Sequence, residues 1–261
     1  MAASAPSGPF HSFPRMVLER VSQLAEEWAK SEGVSQAAHF VMPIGLLMVI
    51  DEANGGDATA KELLNRFHLL NAESGDIIEF YFMGWDWVSQ GDPSQGIRFN
   101  LASFQECRRA LKQAGIKSFG GNADLILVDA HHWFTPGDPS QDPAAPANVG
   151  PTGVTLDFSE AIYINLSSRS KAGEIAPLGE FFQALIDAAD QARQISRSGA
   201  HGPTFRISDT LGLATAKRSF LSFIYEKYGA IIGAKKLDAL VVRNLGPVVP
   251  LEELGMGGVR R

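Results

Sequence analysis

Apolar residues recur along this chain with two different periods, which predict helices alternating with strands. A stripe of apolar positions three and four residues apart predicts a helix that begins at Pro14 and ends at Gly33. A nearly unbroken apolar run from Ile44 to Ile50 is typical of a strand that helices cover on both faces. This strand is therefore expected at the centre of a sheet.

The next two segments complete a first β-α-β unit. Thr59, with Glu62 three residues later, forms a capping box that starts a helix reaching about Glu73. The strand from Ile77 to Met83 follows, and its aromatic residues suit a pleated surface. The two strands are expected to belong to one sheet.

The remaining periodic segments extend this alternation. They are a helix that Ser103 and Glu106 cap and Gly115 ends, a strand from Asp124 to Asp129, a strand from about Ala161 to Leu166 and a helix from Pro177 to Arg193. A proline-rich loop separates the last two strands and ends at about Gly153. Two more helices are expected after Ser208.

The resulting order, β-α-β-α-β-β-α, predicts an α/β fold with an open sheet of about four strands. If the strand from Asp124 runs parallel to the first two, the order resembles a Rossmann-like sheet; if it runs antiparallel and pairs with the fourth, it resembles the thioredoxin fold. The resemblance concerns topology alone, because the chain has no Cys-x-x-Cys motif and its single cysteine, Cys107, lies on an apolar helix stripe. Thiol redox exchange is not expected.

Four regions are predicted along the chain. Residues 1–13 form a disordered leader, 14–200 the α/β domain, 201–245 a helical C-terminal extension packed on that domain, and 246–261 a tail.

Composition and charge narrow the classes of function. With 23 basic and 29 acidic residues the formal net charge is −6, and the basic residues are dispersed, so nucleic-acid binding is not indicated. The longest apolar run is too short for a bilayer, and the N-terminus lacks the features of a secretory signal. A single cysteine suits a reducing compartment, so a cytoplasmic protein without membrane contact is expected.

A short internal repeat follows the second and third strands. The segment 84–95 aligns without gaps on 130–141, and both contain Gly-Asp-Pro-Ser-Gln. The repeat is explained by one favourable turn used twice, or by a shared aromatic wall that binds a ligand or partner. The aromatic binding residues of the second interpretation are Trp85, Trp87, Trp133 and Phe134.

Acidic residues and histidines at strand ends raise a second hypothesis. If the strands are parallel, their carboxyl ends meet at one edge, where carboxylates and imidazoles could hold Mg²⁺ or Mn²⁺ and orient a water. The metal ligands would be Asp51, Glu52, Asp129 and His131, with Asp86 and His132 as catalytic proton carriers. Helix capping and solvent contact explain the same residues without any metal, and an antiparallel third strand would put Asp129, His131 and His132 at the opposite edge from Asp51.

Two classes of function therefore remain open. No complete catalytic motif is present: the Asn-Gly-Gly-Asp turn at 54–57 matches no phosphate-binding loop, and no Gly-x-Ser-x-Gly occurs. The first class is a binding or regulatory module, alone or in a multi-protein assembly, that takes a protein partner or a small ligand. The alternative is a metal-dependent hydrolase acting on a phosphate-containing substrate.

Overall fold

The structure is a computed structural model of the 261-residue chain. It describes residues 13–31, 39–75, 77–87, 97–116, 121–133, 153–173, 175, 177–198, 242–243 and 245–255. The helices predicted after Ser208, most of the extension 201–245 and the proline-rich loop lie outside the described residues.

The described residues form both helices and strands. The helices are α1 (Phe13–Ser31), α2 (Ala58–Asn65), α3 (Phe67–Ser74), α4 (Leu101–Gln113), α5 (Leu166–Lys171), α6 (Leu178–Ser198) and α7 (Leu251–Gly255). The strands are β1 (His39–Val49), β2 (Glu79–Phe82), β3 (Trp85–Trp87), β4 (Ile97–Phe99), β5 (Ala123–Trp133), β6 (Val154–Asn165), β7 (Val242–Arg243) and β8 (Val248–Pro250).

The chain is a mixed α/β protein with an open sheet. Within the described residues this sheet has six strands in the order β2-β1-β5-β6-β7, and β8 also pairs with β6. Strand β2 runs parallel to β1, whereas β5 runs antiparallel to β1 and β6 antiparallel to β5. The expected count of about four strands is too low, because β7 and β8 come from the C-terminal region.

Helices cover both faces of the sheet. On the first face, α2, α3 and α6 pack against alternate residues of the central strands, such as Leu47 and Leu125. On the second face, α1, α4 and α7 pack against the intervening residues, such as Leu46 and Ile126. The unbroken apolar sequence of β1 is therefore explained as predicted, since both of its faces are buried.

Gly45 interrupts this apolar strand for a steric reason. It lies opposite Phe80 of β2, and a β-carbon at position 45 would come within 2.4 Å of the Phe80 ring. The ring occupies the space left free by the glycine, so the interior glycine marks a close approach between the two strands.

Several predicted elements are confirmed with shifted boundaries. The first helix, the helix ending near Gly115 and the helix after Pro177 are present as α1, α4 and α6. The capping box at Thr59 is wrong: Asp57 caps α2 by accepting a hydrogen bond of 3.1 Å from the Ala60 amide, and the predicted single helix is divided at Arg66. The predicted cap at Ser103 is wrong as well, because Asn100 caps α4.

The region predicted as a tail contributes to the sheet and to a helix layer. Val249 pairs with Leu156 of β6, and the Leu245 amide donates to the Phe158 carbonyl at 3.0 Å. Leu251 and Leu254 of α7 are buried on the second face. Residues 245–255 therefore pack on the same sheet as β6 and on its second face.

Candidate functional site

The direction of β5 decides which predicted site residues meet. Its last residue, Trp133, lies opposite His39 at the start of β1, and its first residue, Ala123, lies opposite Val49 at the end of β1. Asp51 and Glu52 follow that far end, roughly 30 Å from Trp133 at the usual rise per strand residue. The four predicted metal ligands therefore do not converge, as expected for an antiparallel third strand.

Asp51 and Glu52 have local structural partners. Asp51 accepts hydrogen bonds from the backbone amide of Asn54 at 3.1 Å and from its side-chain amide at 2.6 Å. Glu52 lies 3.3 Å from the Lys61 ammonium in an exposed ion pair. Both contacts stabilise the turn that joins β1 to α2.

Trp85 is a core residue rather than part of an exposed aromatic wall. Its indole nitrogen donates to the Val49 carbonyl at 2.8 Å, and its ring centroid lies 5.3 Å from that of Phe99. The side chain is buried. Asp86 and Trp87 follow on β3, which pairs with β4, and Phe134 lies outside the described residues.

The two halves of the internal repeat differ in structure. Gly84 has a φ of +80°, and a β-carbon there would lie 2.6 Å from the Phe104 β-carbon, whereas the aligned Ala130 belongs to β5. Trp85 lies beside the end of β1, and Trp133 lies opposite its start. These two tryptophans therefore do not belong to one shared aromatic wall.

His132 points away from the other histidine of its pair. Its side chain lies on the second face of the sheet, in the same row of β5 as Val128 and Ala130. Burial lowers the pKa of His132, and the charge of Glu26 on α1 partly opposes this shift. Of the two predicted proton carriers, His132 is consequently on the opposite face from Asp129 and His131.

The first face changes chemistry along β5. Its residues there are Leu125 and Leu127, which belong to the apolar core, followed by Asp129, His131 and Trp133. On β6, Asp157 lies opposite Asp129 and Thr155 lies opposite His131. We call the group of four polar residues Asp129, His131, Thr155 and Asp157 the polar half-face.

The polar half-face is largely buried, and its geometry is partly fixed. Asp129 and Thr155 are each 1% exposed, while the side chains of His131 and Asp157 are 9% and 18% exposed. The Asp157 Oδ2 lies 3.9 Å from the His131 Nε2, which is longer than a hydrogen bond. Within the described residues, the Thr155 hydroxyl oxygen has no hydrogen-bond partner.

A bulge in β6 holds Asp157 in place. Leu127 pairs with Ile162, but Asp129, two residues later, pairs with Asp157, so β6 has extra residues at this point. Asp157 Oδ1 accepts hydrogen bonds from the Ser159 amide at 2.9 Å and the Ser159 hydroxyl at 2.6 Å. These bonds orient the carboxylate on the first face.

Thr155 and Asp157 are absent from the sequence-based prediction because the fourth strand was expected to begin near Ala161. The segment Val154-Thr155-Leu156-Asp157-Phe158 alternates strictly between apolar and polar residues, which is the pattern of a strand with two different faces. That alternation is the signal that identifies both residues.

A second polar group lies where α2 and α5 meet. Asp57 accepts a hydrogen bond of 3.2 Å from the Ser167 hydroxyl and lies 2.9 Å from the Lys171 ammonium. Burial raises the pKa of Asp57, but the bonds from Lys171, the Ala60 amide and Ser167, together with the charge of Lys171, outweigh it and leave the pKa lowered. A carboxylate held in its charged form is a weak base, so this group is a structural clamp.

Metal binding has no support in the arrangement of the described residues. Across the part of the chain that the structure describes, no three His, Cys, Asp or Glu side chains are placed so that they could hold a metal ion.

The described helices also include none that is long and apolar enough to cross a membrane.

Comparison with known proteins gives this chain no relative. No family model matches it, and neither the curated proteins nor the solved structures contain a significant match.

Proposed function

We propose that this chain is a non-redox α/β binding module whose ligand-binding surface is the polar half-face. The observation that carries the proposal is the change from Leu125 and Leu127 to Asp129 and His131 along one face of one strand. Polar groups on a covered sheet face cost free energy that apolar residues would not. In natural proteins, residues that break the local pattern in this way are found mainly at functional or strained sites.

The element order supports a thioredoxin-like topology for this module. The parallel pair β1 and β2, followed by the antiparallel β5 and β6, is the alternative that the sequence left open, and it argues against a Rossmann-like sheet. Redox chemistry is not part of the proposal. Cys107 is fully buried, and burial raises the pKa of its thiol well above the ordinary value, which disfavours the reactive thiolate.

The direction of β5 argues against a metal-dependent hydrolase. It needs Asp51 and Glu52 beside Asp129 and His131, and the antiparallel β5 argues against that convergence. A binding module needs only the residues that already share the first face.

A fragment screen by amide NMR tests the proposed binding surface. Small cationic, anionic and neutral compounds are added to the full chain, and the backbone amides of 129–133 and 154–157 are followed. We expect at least one chemical class to shift these amides in a saturable manner. The Asp157→Asn variant keeps a side-chain oxygen for Ser159 but loses the charge, so it should change the affinity that these shifts report.

Asp51→Asn is the matched control. It makes the same chemical change after the last residue of β1, away from the polar half-face. It should leave the shifts intact. Saturable shifts centred on the turn at 51–57, with 129–133 and 154–157 unaffected, would contradict the proposed surface.

A further inference from the structure

The turn between β1 and α2 contains the only Asn-Gly dipeptide of the chain, Asn54-Gly55. We propose that Asn54 is a site of spontaneous covalent modification, in which its side-chain amide is lost and an isoaspartyl or aspartyl residue forms. Both residues of the dipeptide are exposed, so water reaches the reacting atoms. The site is separate from the proposed function, because the turn follows the end of β1 whereas the polar half-face lies beside its first half.

The reaction follows from the chemistry of an asparagine that precedes a glycine. The backbone nitrogen of Gly55 attacks the side-chain carbonyl carbon, Cγ, of Asn54 and closes a five-membered succinimide ring. The bond between Cγ and Nδ2 breaks, and the amide proton of Gly55 leaves with the side-chain nitrogen as ammonia. Water then opens the ring at either carbonyl, and no oxidant or reductant takes part. Glycine favours the ring closure because it has no β-carbon to obstruct the approach.

The local structure leaves room for this ring. Gly55 has a φ of +99°, and a β-carbon placed on it would meet no atom within 4 Å, so the space beside its backbone is open. The preceding residues, Glu52–Asn54, form a single 3₁₀ turn without any buried residue. Hydrogen-bond geometry is poorer in a 3₁₀ turn than in an α-helix, and exposed segments with few buried contacts open at low cost. The ring therefore closes after a local opening of the turn, without unfolding of the domain.

Hydrogen bonds restrain both reacting groups while the turn is closed. The Asn54 side-chain amide donates to the Asp51 Oδ1 at 2.6 Å, and the Gly55 amide donates to the Glu52 carbonyl at 3.2 Å. Both bonds must break before the nitrogen of Gly55 reaches the Asn54 Cγ. The Asp51 carboxylate also accepts from the Asn54 backbone amide at 3.1 Å. Asp51 is therefore a positioning residue, which slows the modification by holding the Asn54 side chain.

The product changes the connection between β1 and α2. Loss of the amide removes a donor from Asp51 and puts a new negative charge beside Asp51 and Glu52. An isoaspartyl residue also adds one carbon to the backbone between residues 54 and 55. The next residue, Gly56, is closely packed, since a β-carbon on it would lie 2.1 Å from the Ile50 carbonyl oxygen. The modified chain should therefore unfold at a lower urea concentration than the unmodified chain.

Incubation of the full chain at neutral pH, followed by peptide mapping with mass spectrometry, tests the proposal. An isoaspartyl methyltransferase with a labelled methyl donor measures the isoaspartyl residues formed. We expect product at residue 54 and none at Asn65, which is also exposed but is followed by Arg66 instead of glycine. The chain unfolded in urea is the reference, because it holds the same dipeptide without the turn.

Two variants test the role of Asp51. Asp51→Ala should accelerate the reaction about fivefold, which is the factor that the loss of one typical hydrogen bond predicts. Asp57→Ala is the matched control, because it removes a carboxylate from the cap of α2 but leaves the hydrogen bonds of Asn54 in place. It should leave the rate unchanged.

The outcomes that contradict the proposal are distinct. Conversion of residue 54 in the unfolded chain but not in the folded chain would overturn it, and so would equally fast modification at Asn65. Equal rates for Asp51→Ala and the unmodified chain would overturn the role of Asp51. The first two comparisons use the unmodified chain, so they remain decisive even if a variant does not fold.

Discussion

The indole nitrogen of Trp85 donates a hydrogen bond of 2.8 Å to the backbone carbonyl of Val49. The bond joins the start of β3 to the end of the central strand, and both partners are buried. Trp85 is the first aromatic residue of the internal repeat, so its place in the core separates it from any exposed binding wall. The same contact makes its contribution to stability measurable.

Trp85→Phe should reduce the free energy of unfolding by about 1–3 kcal/mol, because the Val49 carbonyl loses its donor in a buried place. Trp85→Ala should cost about 3–5 kcal/mol, since the ring volume is lost too. Urea unfolding measures both. Leu69→Ala is the control, because Leu69 is 49% exposed on α3 and its truncation should change stability by less than about 0.5 kcal/mol. An unchanged melting temperature for Trp85→Ala would refute the core assignment.

Asp57→Ala should show a cost that depends on pH. The pKa of Asp57 is lowered in the folded state, so its stabilisation is fully present above the unfolded value of about 3.9 and is lost as pH falls through the lower folded value. At pH 7 the loss of the cap should cost about 1–2 kcal/mol. The Lys171 side chain is 66% exposed, so its ion pair adds little.

Asn100→Ala provides the comparison for this pH series. Asn100 caps α4 by accepting from the Ser103 amide at 3.1 Å and carries no titrating charge. Its cost in urea unfolding should remain constant from pH 7 to pH 3, whereas that of Asp57→Ala should shrink. Parallel curves for the two variants would show that the charge of Asp57 is irrelevant.

Tyr163→Phe should raise the pKa of Asp124 further. Burial already raises this pKa, while hydrogen bonds from the Gly121 amide at 2.9 Å and the Tyr163 hydroxyl at 3.0 Å oppose the shift. A carboxyl pKa above its unfolded value means that folding stability falls as pH rises between the two values. Removing the hydroxyl extends that window upward and should cost about 1–3 kcal/mol at pH 7.

Carbon NMR titration of the Asp124 carboxyl and urea unfolding check this prediction. Tyr81→Phe is the matched substitution, because the Tyr81 hydroxyl is buried and has no hydrogen-bond partner within the described residues. It should leave the Asp124 titration unchanged and be close to neutral in stability. A Tyr163→Phe titration identical to that of the unmodified chain would exclude the Tyr163 hydroxyl as a determinant of the pKa.

Leu254→Ala should destabilise the whole domain. Leu254 is fully buried between α7 and the second face, and truncation of a buried leucine costs about 2–5 kcal/mol. Glu253→Ala alters the exposed neighbour and should be neutral. Equal unfolding midpoints in urea for the two variants would mean that residues 251–255 are dispensable for the fold.

The candidate site could be predicted only in part. Asp129 and His131 follow from their position at the end of an apolar strand, and they do belong to the polar half-face. Their predicted companions, Asp51 and Glu52, are at the other end of β1 because β5 runs antiparallel. The alternation of residues 154–158 identifies Asp157 as part of a strand with two different faces, but only the register of β6 and its bulge place it opposite Asp129.

The sequence by itself determined where α1, α4 and α6 lie and that β1 is covered on both faces. Each of these follows from the spacing of apolar residues, and that spacing reflects burial along one element. Only the tertiary structure decided that β5 turns back beside β1, that β6 extends to Val154 and that residues 245–255 join the sheet and its helix layer. The direction and partners of a strand depend on contacts between segments far apart in the chain. Periodicity within one segment carries no record of those contacts, since a strand shows the same alternation in either direction.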